Sequence, residues 1–376
     1  KSSAAPEASL GSIKQKIGDF YYSGMDSVTL NRKGISDLKA YFNEIDHVRD
    51  LSGLMRETSF IHSVSGAPLF DFDLEQDEKN SSEYMVYLAQ GGLSMPDRTY
   101  YVDKDKKSVD IRNKFVAYAH VLFKTMGYTE NSASMAARKL LAMETSIAIT
   151  SRKREDTRNP FTNYHKLSYA ELQKLSPNVN WDIFFHGVGL NKLDSVIVCQ
   201  PEFFKALNGY LKQYSLTDWK NYLKFQLLNG LTSFVDDATY MKSFNFYSKT
   251  LRGIQEPKPR WKRVVTVTDN DLGDLIGQVY VKEYLPEGTK AKFQEIGNAI
   301  RAEFANRIKD LDWMSDTTKQ KALEKLAAVD MKLAYPDKWK DMSALHVDRS
   351  SYVRNAMNAN KWSLAYMIQK YGKPVD

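Results

Sequence analysis

Apolar residues recur at helical spacing over most of the chain. Leu10, Ile13, Ile17, Phe20 and Tyr21 share one face of residues 10–24, and Ile35, Leu38, Phe42 and Ile45 share one face of residues 35–46. Asp50 is placed to cap a third helix ending near Ser63. At residues 69–75 (LFDFDLE) the period drops to two: Leu69, Phe70 and Phe72 are apolar, while Asp71, Asp73 and Glu75 fall on one face. Residues 83–89 (EYMVYLA) can pair with them across the polar loop 76–82, which predicts a β-hairpin. The link that follows reads QGGLSMPDRTYY (residues 90–101). Gly91-Gly92 end the strand, and Met95-Pro96 impose an extended bend, because a residue before proline is pushed out of the helical region. Tyr100 and Tyr101 are expected to pack beneath the next helix.

Helical patterns then dominate. One spans about 106–127, and another starts at Thr129 and runs past Met143 and Ile147 into the charged segment 152–158. Ser168 and Glu171 form a capping-box signature. Residues 195–200 read as a short strand or an extended linker, and Pro201 opens a helix to about Tyr214. Thr217 or Asp218 is expected to cap the next, which is apolar through Phe225, Leu227, Leu228, Leu231 and Phe234. Further helices are expected at 237–252, 260–284, 289–310, 315–330 (capped by Ser315 or Asp316) and 350–371, with joints at 255–260 (QEPKPR) and 286–288. The expected fold class is mainly α, with one small β-hairpin near residues 69–89.

Composition narrows the class. With 376 residues, 43% hydrophobic and 26% charged, the chain has an ordinary globular make-up and room for two or three domains. No uninterrupted apolar run reaches the ~18 residues of a membrane span. The leader KSSAAPEAS is polar and small, like a linker, and does not have the pattern of a signal peptide. The net charge of +7 is spread along helices and mixed with acids; the densest run, Arg152-Lys153-Arg154, is followed at once by Glu155-Asp156, which argues against nucleic-acid binding. Cys199 is the sole cysteine, so no internal disulfide exists, and its apolar setting reads as a structural thiol.

Catalytic signatures are missing from the pattern. The six histidines (His47, His62, His120, His165, His186, His346) are too far apart to set two imidazoles at i and i+4 on one helix face, as a His-Glu-x-x-His zinc site requires. Spacing leaves open a zinc site built from distant histidines, but each reads more simply as a surface or packing residue. No Gly-x-Ser-x-Gly elbow or Walker loop is found, and Gly187-Val-Gly189 lacks the third glycine of a dinucleotide fingerprint. Asp269, Asp271 and Asp274 lack EF-hand spacing and read as a solvated helix cap. Asp71, Asp73 and Glu75 read as a solvent-facing row guarding a strand edge. Asn80-Ser-Ser82 is a formal glycosylation sequon. Aromatics crowd residues 219–247, which reads as core packing, with the wall of a peptide-binding cavity as the alternative. No residue is assigned to catalysis, to cofactor binding or to a metal.

Several phrases, in order, resemble the neprilysin-like family of zinc metallopeptidases (endothelin-converting-enzyme and oligoendopeptidase relatives). The link QGGLSMPDRTYY is similar to that family's "gLgLPdRdYY" phrase. Residues 16–35 resemble its early helix, 154–172 its "R.d....yn.m...eL" stretch, and 274–285 its "..vG.lYv...f". Residues 310–335 resemble "l.WMd..Tk..A..Kl..i..kigYP", through Trp313, Met314, Thr318, Lys319, Ala322, Lys325, Tyr335 and Pro336. The resemblance implies two lobes around a closed cavity: a zinc-bearing catalytic lobe and a helical cap that admits only small peptides.

By that analogy residues 1–198 and 286–376 form the cap and residues 199–285 belong to the catalytic lobe, while the zinc ligands and general base lie beyond Asp376. The chain is thus expected to be the N-terminal, cap-bearing part of a zinc endopeptidase. On its own it would be inactive and free of zinc. Its partners would be peptide substrates and the C-terminal catalytic part, with no nucleic acid and no membrane-spanning segment. Its place would be extracytoplasmic, in a bacterial periplasm or envelope. The competing expectation is a non-catalytic helical scaffold that binds peptide or protein. Wide apolar faces in residues 200–284 predict exposed hydrophobic surface there.

Overall fold

The computed structural model describes residues 8–375. Most of the linker-like leader therefore lies outside the described residues. The chain forms two compact units: residues 8–267 with 345–375, and residues 268–344.

The first unit is helical around a small sheet. Its helices begin where the side chains dictate. Asp50 accepts the Gly53 N–H at 2.7 Å to open Leu51–Val64. Thr129 caps Glu130–Thr150, and Ser168 and Glu171 make a full capping box for Tyr169–Leu175. The Leu216–Leu231 helix is capped two residues before the nearer expected position, Thr217: Ser215 is its cap, with Asp218 closing the box from inside the first turn. After Asp237–Ser243 the helix widens into a π segment, Phe244–Thr250.

The hairpin is present and longer than its alternation suggested. Strands β1 (Phe70–Asp77) and β2 (Asn80–Gln90) pair antiparallel, so the turn is Glu78-Lys79 rather than a seven-residue loop. Two short strands join them: β3 (Lys166–Ser168), which periodicity did not mark, and β4 (Ser195–Val198). The order is β1-β2-β4-β3, with β4 parallel to β2. β1 is therefore an edge, and Asp71, Asp73 and Glu75 all lie exposed along it.

Aromatic side chains fill the core against this sheet. Phe70, Trp181, Phe184 and Phe204 form one cluster, and Phe115, Tyr118, Phe225 and Phe246 another. Trp219, Tyr222 and Phe225 are fully buried, so the aromatic region is core rather than cavity wall. The helices at 201–231 bury their apolar faces here, while Ile254, Trp261, Val265, Tyr280 and Tyr284 lie exposed, so the exposed surface expected for residues 200–284 is confined to their later part. The Tyr352–Ile368 helix closes the unit: Asn360 donates to the Val64 carbonyl, Asn355 to Ser23, and Ser351 and Arg354 to Asp37.

In the second unit, the Arg260–Tyr284 helix continues through a kink at Leu272, followed by Thr289–Asp310 and Asp316–Ala327. Asp269, Asp271 and Asp274 sit inside the first of these helices rather than in a capping loop, and Asp274 accepts the Lys340 N–H. The Thr289–Asp310 and Asp316–Ala327 helices bury no residue.

One hydroxyl holds the start of the hairpin to its end. Tyr222 Oη accepts the Leu69 N–H at 2.9 Å and donates to the Gly92 carbonyl at 2.8 Å, in a fully buried position. Leu69 has φ +69° and Gly92 φ +77°, so both backbones are in the left-handed region, which is costly for leucine. Removing the hydroxyl in Tyr222→Phe leaves a buried N–H and C=O unpaired. The expected loss is on the order of 2 kcal/mol, read as a lower urea midpoint with an unchanged slope.

Candidate functional site

The concave surface beside β1 is the candidate site. Two adjoining hollows, about 460 and 560 Å³, share Asp71, Gln90 and Thr157 in their walls. One runs along β1 past Asp73 and Glu75 to Arg158 and Cys199. The other is floored by the QGGLSMPDR link itself.

Several residues of that link make defined structural contacts. Gln90 exchanges hydrogen bonds with the Arg152 backbone, at 2.7 and 3.0 Å, and its own N–H donates to Gln200. A Cβ at Gly91 would sit 2.7 Å from the Asp71 nitrogen, so only glycine lets the strands approach this closely. Asp97 accepts the Thr99 N–H and hydroxyl, and Arg98 donates through Nε to the Ala148 carbonyl near the end of a helix. Met95 donates its N–H to Tyr101 Oη. Tyr101 is buried as expected.

Beneath the link lies a charge that periodicity did not flag. Glu144 is fully buried in the Glu130–Thr150 helix and receives four hydrogen bonds. The donors are the Ser94 N–H (3.1 Å), the Ser94 hydroxyl (2.6 Å), the Tyr101 hydroxyl (2.5 Å) and Gln226 Nε2 (3.2 Å). Burial pushes its carboxyl up to about 7, against the opposing pull of the Ser94 and Tyr101 hydrogen bonds. Burial and the nearby Glu144 charge hold Tyr101 and Tyr222 well above the usual phenol range, so both remain donors. A lone carboxylate amid Leu140, Met143 and Ile147 was the available sequence signal.

The walls carry opposite charges. Asp71 is solvent-accessible yet hemmed in by the hollow, and burial, then Asp73, push its carboxyl up to about 6. Arg152 is structural: it grips Glu202 through two nitrogens and also donates to the Thr162 carbonyl and Asn163. It is thus unavailable to a phosphate backbone, which removes the core of the basic run. Burial pushes the Cys199 thiol up to about 11, leaving it protonated and unreactive at neutral pH. The Ser94 hydroxyl is committed to Glu144 and Gln226. The hollows are lined by hydrogen-bonding and charged side chains, Asp71, Asp73, Gln90 and Arg158 among them.

The histidines stay apart. His62 packs among Phe70, Phe72 and Phe184, donates Nε2 to the Pro68 carbonyl, and is pushed down to about 4 by burial. His165 meets the Val198 carbonyl, His47 the Asn43 carbonyl, His186 Asn191, and His120 Glu130. Among the described residues no group of three or more His, Cys, Asp or Glu side chains could hold a metal ion. The zinc implied by the resemblance does not fit these residues.

Comparison with known proteins decides the family. The N-terminal model of peptidase family M13 matches residues 1–336. The chain belongs to peptidase family M13. This M13 chain is 26% identical over 329 residues to an endothelin-converting enzyme homolog of Locusta migratoria, covering 82% of this chain and 45% of that protein. It is 28% identical over 277 residues to endothelin-converting enzyme 1 of Cavia porcellus, covering 72% and 36%. Its fold matches the zinc metalloprotease Zmp1 of Mycobacterium tuberculosis in the open state with a TM-score of 0.92 at 26% identity, over 100% of this chain and 58% of that one. The chain thus spans less than half the length of these curated relatives.

The Glu144 node makes stability depend on pH. The folded carboxyl titrates near 7 and the unfolded one near 4.5, so the folded state binds the proton more tightly. The contribution is full below about pH 4.5 and is lost as pH rises through about 7. The expected loss is on the order of 3 kcal/mol across that window. Glu144→Gln, which cannot ionise, should flatten this part of the stability–pH curve in urea titrations.

Proposed function

We propose that this chain is the N-terminal, cap-bearing region of a zinc endopeptidase that cleaves small peptides. The observation that carries the reading is the match to zinc metalloprotease Zmp1 over the full chain, at a TM-score of 0.92, in a family whose N-terminal model matches residues 1–336. In this reading residues 1–198 and 286–376 form a cap that limits substrate size, and residues 199–285 belong to the catalytic lobe. The zinc ligands and the proton-accepting carboxylate lie in the polypeptide outside this chain. No residue described here is given a catalytic or metal-binding role.

The partners are peptides and the catalytic part of the same polypeptide. The setting is extracytoplasmic, in a periplasm or cell envelope. Among the described residues no helix is long and apolar enough to cross a membrane.

Peptide turnover and metal content test this reading together. The 376-residue chain alone should hold no stoichiometric zinc by elemental analysis and should not cleave short peptides. The full-length parent polypeptide should cleave them and stop when a chelator is added. Chelator-sensitive turnover by the 376-residue chain alone would sink the division proposed here.

A further inference from the structure

We infer that Glu144 is a proton-operated latch on the link that floors the larger hollow: the neutral carboxyl holds residues 92–98 down, and loss of its proton lets them lift. The device goes beyond the peptidase reading and does not depend on it.

The main-chain groups of this link are held by side chains from the helices beneath. Tyr222 Oη donates to the Gly92 carbonyl at 2.8 Å, Tyr247 Oη donates to the Ser94 carbonyl at 3.1 Å, and Tyr101 Oη accepts the Met95 N–H at 2.7 Å. Glu144 takes the Ser94 N–H and the Ser94 hydroxyl together, two of its four hydrogen bonds. Gln226, which also lines the hollow, donates to Ser94 Oγ at 3.0 Å and to Glu144 at 3.2 Å. Ser94 is thus the joint between the floor of the hollow, about 560 Å³ in volume, and the buried carboxyl.

The surroundings favour the neutral acid. Facing it are Ser94 and Tyr101, Tyr222 and Gln226 of the Leu216–Leu231 helix, and Tyr247 of the π segment. Tyr118, on the Lys106–Thr125 helix, reaches Tyr247 through Asn229, and Tyr210, on the Pro201–Gln213 helix, donates to the Ser146 carbonyl of Glu144's own helix. Among the described residues burial and hydrogen bonds act on the carboxyl, and no cation does. Arg98 is spent on the Ala148 carbonyl, and Asp71, in the wall of the hollow, adds a further negative charge that acts on Tyr222. A buried charge without a cation is costly. The neutral acid fits as it stands: Ser94 Oγ or Tyr101 Oη can turn to accept its proton, while the Ser94 N–H and Gln226 Nε2 keep donating.

Once ionised, the carboxylate is relieved by reaching water, and Ser94 stands between it and the hollow. The closed carboxyl titrates near 7 and a solvated one near 4.5, so opening releases a proton and becomes easier as pH rises between those values. The floor of the hollow is therefore fixed on the acid side of neutrality and free to lift above it.

Hydrogen exchange of the 376-residue chain, corrected for the intrinsic pH dependence of exchange, tests the latch. The opening equilibrium at Leu93, Ser94, Met95, Asp97 and Arg98 should rise on the order of 50-fold between about pH 5 and pH 8 and then level off. It should ignore low urea, the mark of a local opening, whereas core amides of the Leu51–Val64 helix should exchange through global unfolding and respond to urea. Glu144→Gln should remove the rise. Ser94→Ala, which keeps the carboxyl, should raise opening at every pH and leave the slope in place; together with the wild type it decides the case if the glutamine variant does not fold. A flat profile in the wild type would overturn the inference. So would link amides that exchange only in step with the core in urea, or a rise that persists unchanged in folded Glu144→Gln.

Discussion

The first unit depends on satisfying buried polar groups where the hairpin meets the helices. Leu69, just before strand β1, and Gly92, two residues after strand β2, have left-handed backbone, and both carry main-chain groups inside the core. The Tyr222 hydroxyl serves both, and 2.5–3.2 Å hydrogen bonds to Glu144 serve the turn that follows. An unpaired buried N–H or C=O costs more than a typical hydrogen bond contributes, so these contacts decide whether the strands can end where they do. The aromatic core, the exposed acidic edge of β1 and the hollows beside it all follow from that placement.

The two units differ in how they resolve their apolar surface. In the first, periodic faces such as Phe203, Phe204, Leu207 and Leu211 turn inward and are covered. In the second, Tyr280, Tyr284, Phe293, Ile296, Ile300, Phe304 and Trp313 remain exposed.

Much of the fold was legible beforehand. Period-3.6 stripes, Asp50, Ser168 and Ser315 located helices because capping and amphipathicity are local effects. The alternation at 69–75 located the hairpin for the same reason. Strand β3 was missed because three residues carry no period, and Ser215 was missed because Thr217 and Asp218 offer similar side chains. Of the candidate site, the acidic row and the structural character of Cys199 were readable. The buried Glu144 node was not, because its four donors come from Ser94, Tyr101 and Gln226, far apart in the chain.

By itself the sequence determined the helical class, the hairpin and the family, since these rest on local spacing and on phrases such as QGGLSMPDRTYY. The tertiary structure alone decided what that phrase does. Its glycines admit β1, its serine and tyrosine hold a buried carboxylate, and its arginine caps a helix end. It also decided which apolar faces are covered. The physical reason is the same in each case: periodicity says that a face must be buried or a polar group paired, but the partner comes from residues that only folding brings within reach.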